Sequence, residues 1–300
     1  MSINEKQNTD WNLKRLAAQR QLYSEAKSLM GIQFILSGAF TVALAVVGNI
    51  IDDKYFVYTV VAAIIIALLD ELLISKCIDH VKEEAATIQE EFDCDVLEIP
   101  QNHIKIGTHS MMEVIQEKSD KYIVKNKNYS SLTNWYPGID DEENRFYRLF
   151  CQATNCWWNQ NLRKWYTQIL VSVLACVFII LMLLAIIKGI TVSVFLMSVL
   201  SPILPAFVLV YKTIKDNGKS IDNLNHMKGK LDEIICRAES SEIYSDEQLI
   251  KDSRCLQDMI FDNRASSPLI PDRVYFGKRK KFEVIASETN RELIKKIKQL

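Results

Sequence analysis

The sequence predicts a mainly α membrane protein: two transmembrane helical hairpins whose helices extend into a cytosolic α domain with a small β part. Three observations predict it. Four apolar stretches, roughly Met30–Ile51, Tyr55–Ser75, Thr167–Ile187 and Ile190–Tyr211, interrupt an otherwise charged chain. Each holds about twenty residues, enough at ~1.5 Å per residue to cross a hydrocarbon core of about 30 Å. The connectors within each pair, Asp52-Asp53-Lys54 and Lys188-Gly189, are too short for anything but a tight return. The chain divides accordingly into 1–29, a cytosolic N-terminal helix; 30–75, the first hairpin; 76–166, cytosolic helices with a small α/β insert; 167–211, the second hairpin; and 212–300, a cytosolic C-terminal helical region.

The N-terminal segment is polar and lacks an apolar run ending in a small-residue cleavage site, so no cleaved signal peptide is expected. Lys14, Arg15, Arg20 and Lys27 precede the first span, and Lys76 and Lys82 follow the second. Arg145, Arg148, Arg163 and Lys164 precede the third, and Lys212, Lys215 and Lys219 follow the fourth. This bias places both termini and the long middle segment in the cytoplasm. Almost nothing is left outside, which argues against sensing an external ligand.

Apolar residues continue beyond the spans at steps of three and four. Leu13, Leu16, Ala17, Tyr23, Ala26 and Met30 form one stripe; Ile78, Val81, Ala85, Ile88 and Phe92 a second; Phe146, Leu149, Phe150, Ala153 and Trp157 a third; and Ile221, Leu224, Leu231 and Ile234 a fourth. Such spacing sets apolar side chains on one helix face. The spans are therefore read as helices running out of the bilayer into a packed stalk. Within Val96–Asp141, residues 96–100 and 103–107 read as short strands ended by Pro or Gly, Met111–Ile123 as a helix, and Trp135-Tyr136-Pro137-Gly138 as a turn. The tail reads as a helix over Asp246–Phe261, a proline-bounded loop over Ser267–Pro271, and a basic amphipathic end helix in which Phe282, Ile285, Thr289, Leu293, Ile297 and Leu300 share a face.

The formal net charge of −1 gives no bulk attraction to nucleic acid, so any anion site is local. The seven cysteines form no disulfide framework pattern, which fits a reducing setting for the soluble parts. Neither a Walker A loop nor G-x-G-x-x-G occurs. Cys151 and Cys156 lack metal-ligand spacing and read as structural thiols; His103 and His109 lack further ligands. No metal or cofactor is expected.

Some residues inside the spans carry chemistry. Asp70 and Glu71 lie near the cytoplasmic end of the second span, where an acid marks either a pore mouth or an interfacial position. Gln33, Ser37, Gly38 and Thr41 share a face of the first span, and Ser193, Ser198 and Ser201 mark the fourth; they line an aqueous path or serve helix contacts. Pro202 and Pro205 bend the fourth span, for gating or for packing. Trp165 and Tyr166 read as an interfacial belt with Arg163 and Lys164 at headgroup level. Trp157 and Trp158 lie more than one turn lower. Arg273 and Lys278–Lys281, beside Tyr275, Phe276 and Phe282, suit a phosphate or anionic lipid headgroups.

Several segments together resemble a known family. They are Leu16-Ala-Ala-Gln-Arg-Gln-Leu-Tyr-Ser-Glu-Ala-Lys27, Ala85-Ala-Thr-Ile-Gln-Glu-Glu-Phe-Asp-Cys-Asp-Val96, Asn134-Trp-Tyr-Pro137, the Cys151–Tyr166 stretch with Trp157-Trp158, and Leu256-Gln-Asp-Met-Ile-Phe-Asp-Asn-Arg264 with Pro268 and Pro271. Their order around two short-looped hairpins is similar to the SMODS-associated four-transmembrane pore-forming effector family of bacteria. The chain departs from that pattern at Asn159, where an acid is expected, and at Asp272-Arg273, where an aromatic is expected.

The resemblance implies a non-enzymatic effector of anti-phage defence in the bacterial inner membrane. A partner cyclic-oligonucleotide synthase would supply the activating cyclic oligonucleotide, and the effector would form a pore or disrupt the membrane to cause abortive infection. Four spans are too few to enclose a wide pore, so a pore implies a homo-oligomer. A sensing site for such a ligand is positive and aromatic; Arg264, Arg273, Lys278 and Arg279 are its candidates, with Trp135 and Tyr136 as stacking surfaces. The alternatives are a membrane-anchored enzyme or toxin acting at the inner leaflet through Asp258, Asp262, Arg264 and Asp272, and a small transporter. A transporter would need midplane charges or broken helices in corresponding halves.

Overall fold

The computed structural model describes residues 1–40, 43, 53–107, 112–139, 146–189, 191–196, 200–240 and 245–298. Among these the chain is helical, with no strand. A short α1 (Ile3–Gln7) opens on a capping box: the Ser2 hydroxyl accepts from Glu5 N, and the Glu5 carboxylate accepts from Ser2 N. The long α2 (Asp10–Phe34) follows and passes into a π-helical turn at Ile35–Phe40. The chain is helical again over α3 (Asp53–Leu69), a second π-helical turn at Asp70–Ile74, and α4 (Ser75–Leu97). Two shorter helices come next, α5 (His103–Ile106) and α6 (Met112–Asn126).

A 41-residue helix, α7 (Tyr147–Ile187), then runs to a left-handed Gly189. It precedes α8 (Val192–Phe195) and the 40-residue α9 (Ser201–Ser240). The tail holds α10 (Asp246–Ser266), capped by Ser245, and α11 (Asp272–Lys298). Pro268 restricts Ser267 to extended backbone, which stops α10 there.

The strands expected at 96–100 and 103–107 are a misreading. Val96 and Leu97 complete the last turn of α4, and His103–Ile106 make one helical turn capped by Asn102. The apolar character read as β pattern belongs to a helix end: Val96, Leu97 and Ile99 are buried in one cluster with Phe92, Tyr136 and Phe150. Glu98 turns the chain with a left-handed φ of 54°, and Ile99 N donates back to Cys94 O at 3.0 Å. Ile104 is fully exposed, so no inward face exists for a second strand.

The chain forms two compact units. One contains Met1–Glu25, Val81–Arg163 and Lys219–Leu300; the other contains Ala26–His80 and Lys164–Gly218. Helices α2, α4, α7 and α9 each contribute residues to both. The first unit has a conventional core. Leu16, Phe92, Tyr136 and Phe150 lead one cluster; Leu149, Cys156, Met227 and Leu231 lead a second; Leu22, Ile88 and Ile115 lead a third. The turn at Trp135–Gly138 is as expected. Its Gly138 has φ 76°, and a Cβ there would lie 2.5 Å from Ser287 O, so only glycine fits.

The second unit carries the apolar segments and leaves their large side chains exposed, among them Ile64, Leu68, Phe178, Ile180 and Leu183. Among the described residues, one helix is long and apolar enough to cross a membrane, α7. Much of the first predicted span, Asp52 of its connector, and parts of the fourth span lie outside the described residues. Pro202 and Pro205 lie within α9, which follows directly on a π-helical Leu200.

Candidate functional site

Three arrangements of polar side chains stand out. The first is a buried ionic network in the first unit. Glu90 and Asp93 lie three residues apart on α4, among core residues, and both are fully buried. On α10, Arg254, Gln257 and Arg264 recur at helical spacing and face them. Arg264 Nη1 donates to Asp93 Oδ2 at 2.6 Å, and Arg254 Nη2 to Glu90 Oε1 at 2.6 Å. Gln257 Nε2 donates to both acids, at 2.8 Å to Glu90 and 3.0 Å to Asp93. The Tyr136 hydroxyl donates to the other Asp93 oxygen at 2.6 Å and accepts from Asn155 Nδ2 on α7 at 3.0 Å. Gln152, also on α7, donates to Gln257 Oε1 at 3.0 Å. Two acids, two guanidiniums, three amides and the Tyr136 hydroxyl thus tie α4, α7 and α10 together.

Burial raises the Glu90 carboxyl above its ordinary range, and the nearby Asp93 adds to this against the pull of Arg254 and Gln257. Burial works to lower Arg264, but Asp93, Tyr136 and Glu90 outweigh it and hold the guanidinium firmly charged. Burial also raises the Cys94, Cys151 and Cys156 thiols, the last to about 12, so none offers a thiolate nucleophile. The network is a clamp: its charges are spent on one another.

The second arrangement is aromatic and basic. Trp157 and Trp158 on α7 pack on Phe282 of α11, with centroids 5.2 and 5.4 Å away, and Trp158 also meets Tyr275 at 6.3 Å. Tyr275 and Phe276 make an edge-to-face pair at 5.3 Å. From α2, the Arg20 guanidinium lies over both rings, 4.3 Å from Tyr275 and 4.9 Å from Phe276. Arg163, expected at headgroup level, turns into the protein instead. It is buried, donating to Asn159 Oδ1 at 2.8 Å and Pro268 O at 3.0 Å, and burial lowers it to about 10.

The third lies in the apolar unit. Asp70 begins one π-helical turn and accepts from Gln33 Nε2 at 2.8 Å and from the Ser37 hydroxyl, in the other π-helical turn, at 2.7 Å. Gln33 donates also to Ser75 Oγ at 3.1 Å. Both π-helical insertions sit at this knot, a common location for such bulges. Glu71 is exposed beside it.

The sequence-named residues therefore fall into distinct places. Gln33, Ser37 and Asp70 come together. Ser198 lies outside the described residues, as do the side chains of Ser201, Pro202 and Pro205 and the whole of His109. Arg264 and Tyr136 meet at Asp93, with Trp135 edge-on to Phe92 at 6.4 Å. Arg273, Lys278 and Arg279 lie on α11 instead, where Arg279 donates to Glu283 at 2.5 Å and to Ser131 O at 2.6 Å.

Of the acidic set weighed for an enzyme, Asp258 is held by Arg254 and Asn102, and Asp262 by Lys105 at 2.5 Å, while Arg264 turns inward to Asp93. Among the described residues no group of His, Cys, Asp and Glu is set to hold a metal. Sequence reasoning missed Glu90, Asp93, Gln257 and Arg20. Glu90 and Asp93 share a face of α4 three residues apart, but off the apolar stripe through Ile88 and Phe92, so the stripe gave no sign of their burial.

No solved structure is matched by the chain. A curated Bacillus cereus (strain VD146) protein described as a probable CBASS effector molecule is 23% identical over 301 residues, covering 97% of this chain and 98% of that protein. Residues 1–293 match the family described as SMODS-associating 4TM effector domain, and the chain belongs to that family.

Proposed function

We propose that this anti-phage effector is a membrane pore-former or membrane disruptor opened by a cyclic oligonucleotide. The nucleotide would come from a partner synthase, and opening would end the infection together with the infected cell. The observation that carries this reading is α7. Its first half is anchored in the core of the first unit through Leu149, Phe150, Cys151, Gln152 and Cys156, and its second half is an uncharged apolar rod. One continuous helix thus contributes both to a polar unit and to a segment fit for a bilayer.

A ligand shifts a closed–open equilibrium only by its difference in affinity for the two states. The Glu90–Asp93–Arg264 clamp is the rigid body on which such a difference acts. The Asp70–Gln33–Ser37 knot is the polar element of the apolar unit that opening would rearrange, with Glu71 beside it. In this reading the protein is multi-pass in the inner membrane, with cytoplasmic termini, is not an enzyme, and works as a homo-oligomer.

The reading is tested in bacteria expressing the chain with a cyclic-oligonucleotide synthase. Induction of the synthase should depolarise the membrane within minutes, and a catalytically dead synthase should not. Depolarisation by the chain alone at equal abundance would remove ligand gating from the reading.

A further inference from the structure

We propose that Arg20, Arg273, Phe276 and Lys280 form a binding site for a phosphodiester group, with the Phe276 ring as the apolar surface beside it. Arg273, Phe276 and Lys280 stand at steps of three and four on α11, which puts them on one face, and all three are exposed. Phe276 is 51% exposed, although it packs against a cation and a second ring. Between Asp272 and Lys281 the helix carries five bases and one acid. Arg279 of that run is engaged with Glu283 and Ser131 O, so it is occupied elsewhere.

The decisive observation is at Arg20. Its guanidinium is held by its face on Tyr275 and Phe276, and its Nη2 is buried without a hydrogen-bond partner. Folded proteins pair the great majority of buried donors, so an orphaned guanidinium N–H beside an exposed ring calls for an acceptor from outside the chain. A planar guanidinium fork matches phosphate oxygens bidentately. Arg273 and Lys280 add charge on either side, and the Phe276 ring offers a stacking face. A phosphodiester joined to an apolar or planar group satisfies all of these together.

That chemistry is shared by a cyclic oligonucleotide and by a phospholipid headgroup. Assigning it to the nucleotide rests on the effector reading above.

The test titrates full-length protein in detergent with cyclic di-AMP, cyclic di-GMP, cyclic GMP–AMP and cyclic tri-AMP, and separately with dihexanoylphosphatidylglycerol. Arg20→Ala, Phe276→Ala and Arg273→Ala are compared with Lys251→Ala, an exposed control on α10. Phe276 and Arg273 are surface positions, so these two variants keep the fold even where Arg20→Ala disturbs it; thermal melts check this. The expected result is one nucleotide whose affinity falls at least tenfold in all three site variants and is unchanged in the control. Nucleotide binding that survives in Phe276→Ala and Arg273→Ala overturns the site and leaves the effector reading intact. No nucleotide binding, with phosphatidylglycerol affinity falling tenfold in the same variants, upholds a phosphodiester site and removes nucleotide sensing. Neither probe depending on these residues overturns the proposal.

Discussion

Glu90 and Asp93 sit one helical turn apart and share Gln257, yet they do not contribute to stability alike. Asp93 is the partner of a buried guanidinium, so Asp93→Asn leaves Arg264 charged and uncompensated and should cost about 3–5 kcal/mol, read as a lowered melting temperature in detergent. Glu90 is different because burial and Asp93 raise its carboxyl above 4.5. The folded protein then binds that proton more tightly than the unfolded chain does. The stabilising contribution is fully present below a pH of about 4.5, the unfolded value, and is lost as pH rises through the higher folded value. Glu90→Gln should therefore be at least as stable as the wild type at neutral pH. The wild-type melting temperature should fall relative to Glu90→Gln as pH is raised through that window; a relative rise would contradict the sign. At this scale the sequence was partly legible. Arg264 and Tyr136 both read as candidate ligand contacts, and a lone Arg gives no sign of its partner within the chain. Asp93, one hundred and seventy-one positions earlier, is brought to it only by the fold.

Among elements, α7 shows what periodicity reveals and what it hides. The stripe Phe146–Trp157 and the uncharged run after Lys164 each predicted a helix, and they are one helix from Tyr147 to Ile187. The short segments after α4 went wrong for a reason: a few apolar residues ending in Pro or Gly fit a strand and a helix end equally, and tertiary burial of Val96 and Leu97 decides between them. The two π-helical turns had no sequence signal. Continuity of α7 gives an element-scale prediction. Lys164 is exposed, with one unit ending at Arg163 and the other resuming at Lys164. Lys164→Pro removes one backbone hydrogen bond and kinks the helix at a cost of about 3 kcal/mol. Ligand affinity in detergent should stay within about twofold of wild type, while ligand-triggered membrane release should fall at least tenfold. Equal loss of both would mean that α7 serves folding rather than transmission.

For the whole molecule, the mainly helical character of the described residues and the division into a cored polar unit and an apolar unit with exposed large side chains follow from the alternation of charged and apolar segments along the chain. What the alternation does not encode is number: how many copies gather, and whether they line an aqueous path, depends on faces that meet only in the assembly. The central claim is that a cyclic oligonucleotide opens the membrane through this protein. Its most direct test is release of a trapped dye from liposomes holding the purified chain, measured against the same cyclic di- and trinucleotides, with liposomes lacking protein as the baseline. Release with one nucleotide, saturating with its concentration and absent without it, is the predicted result. No release with any nucleotide, from liposomes in which insertion is verified and at a protein dose that arrests growth in cells, would contradict it.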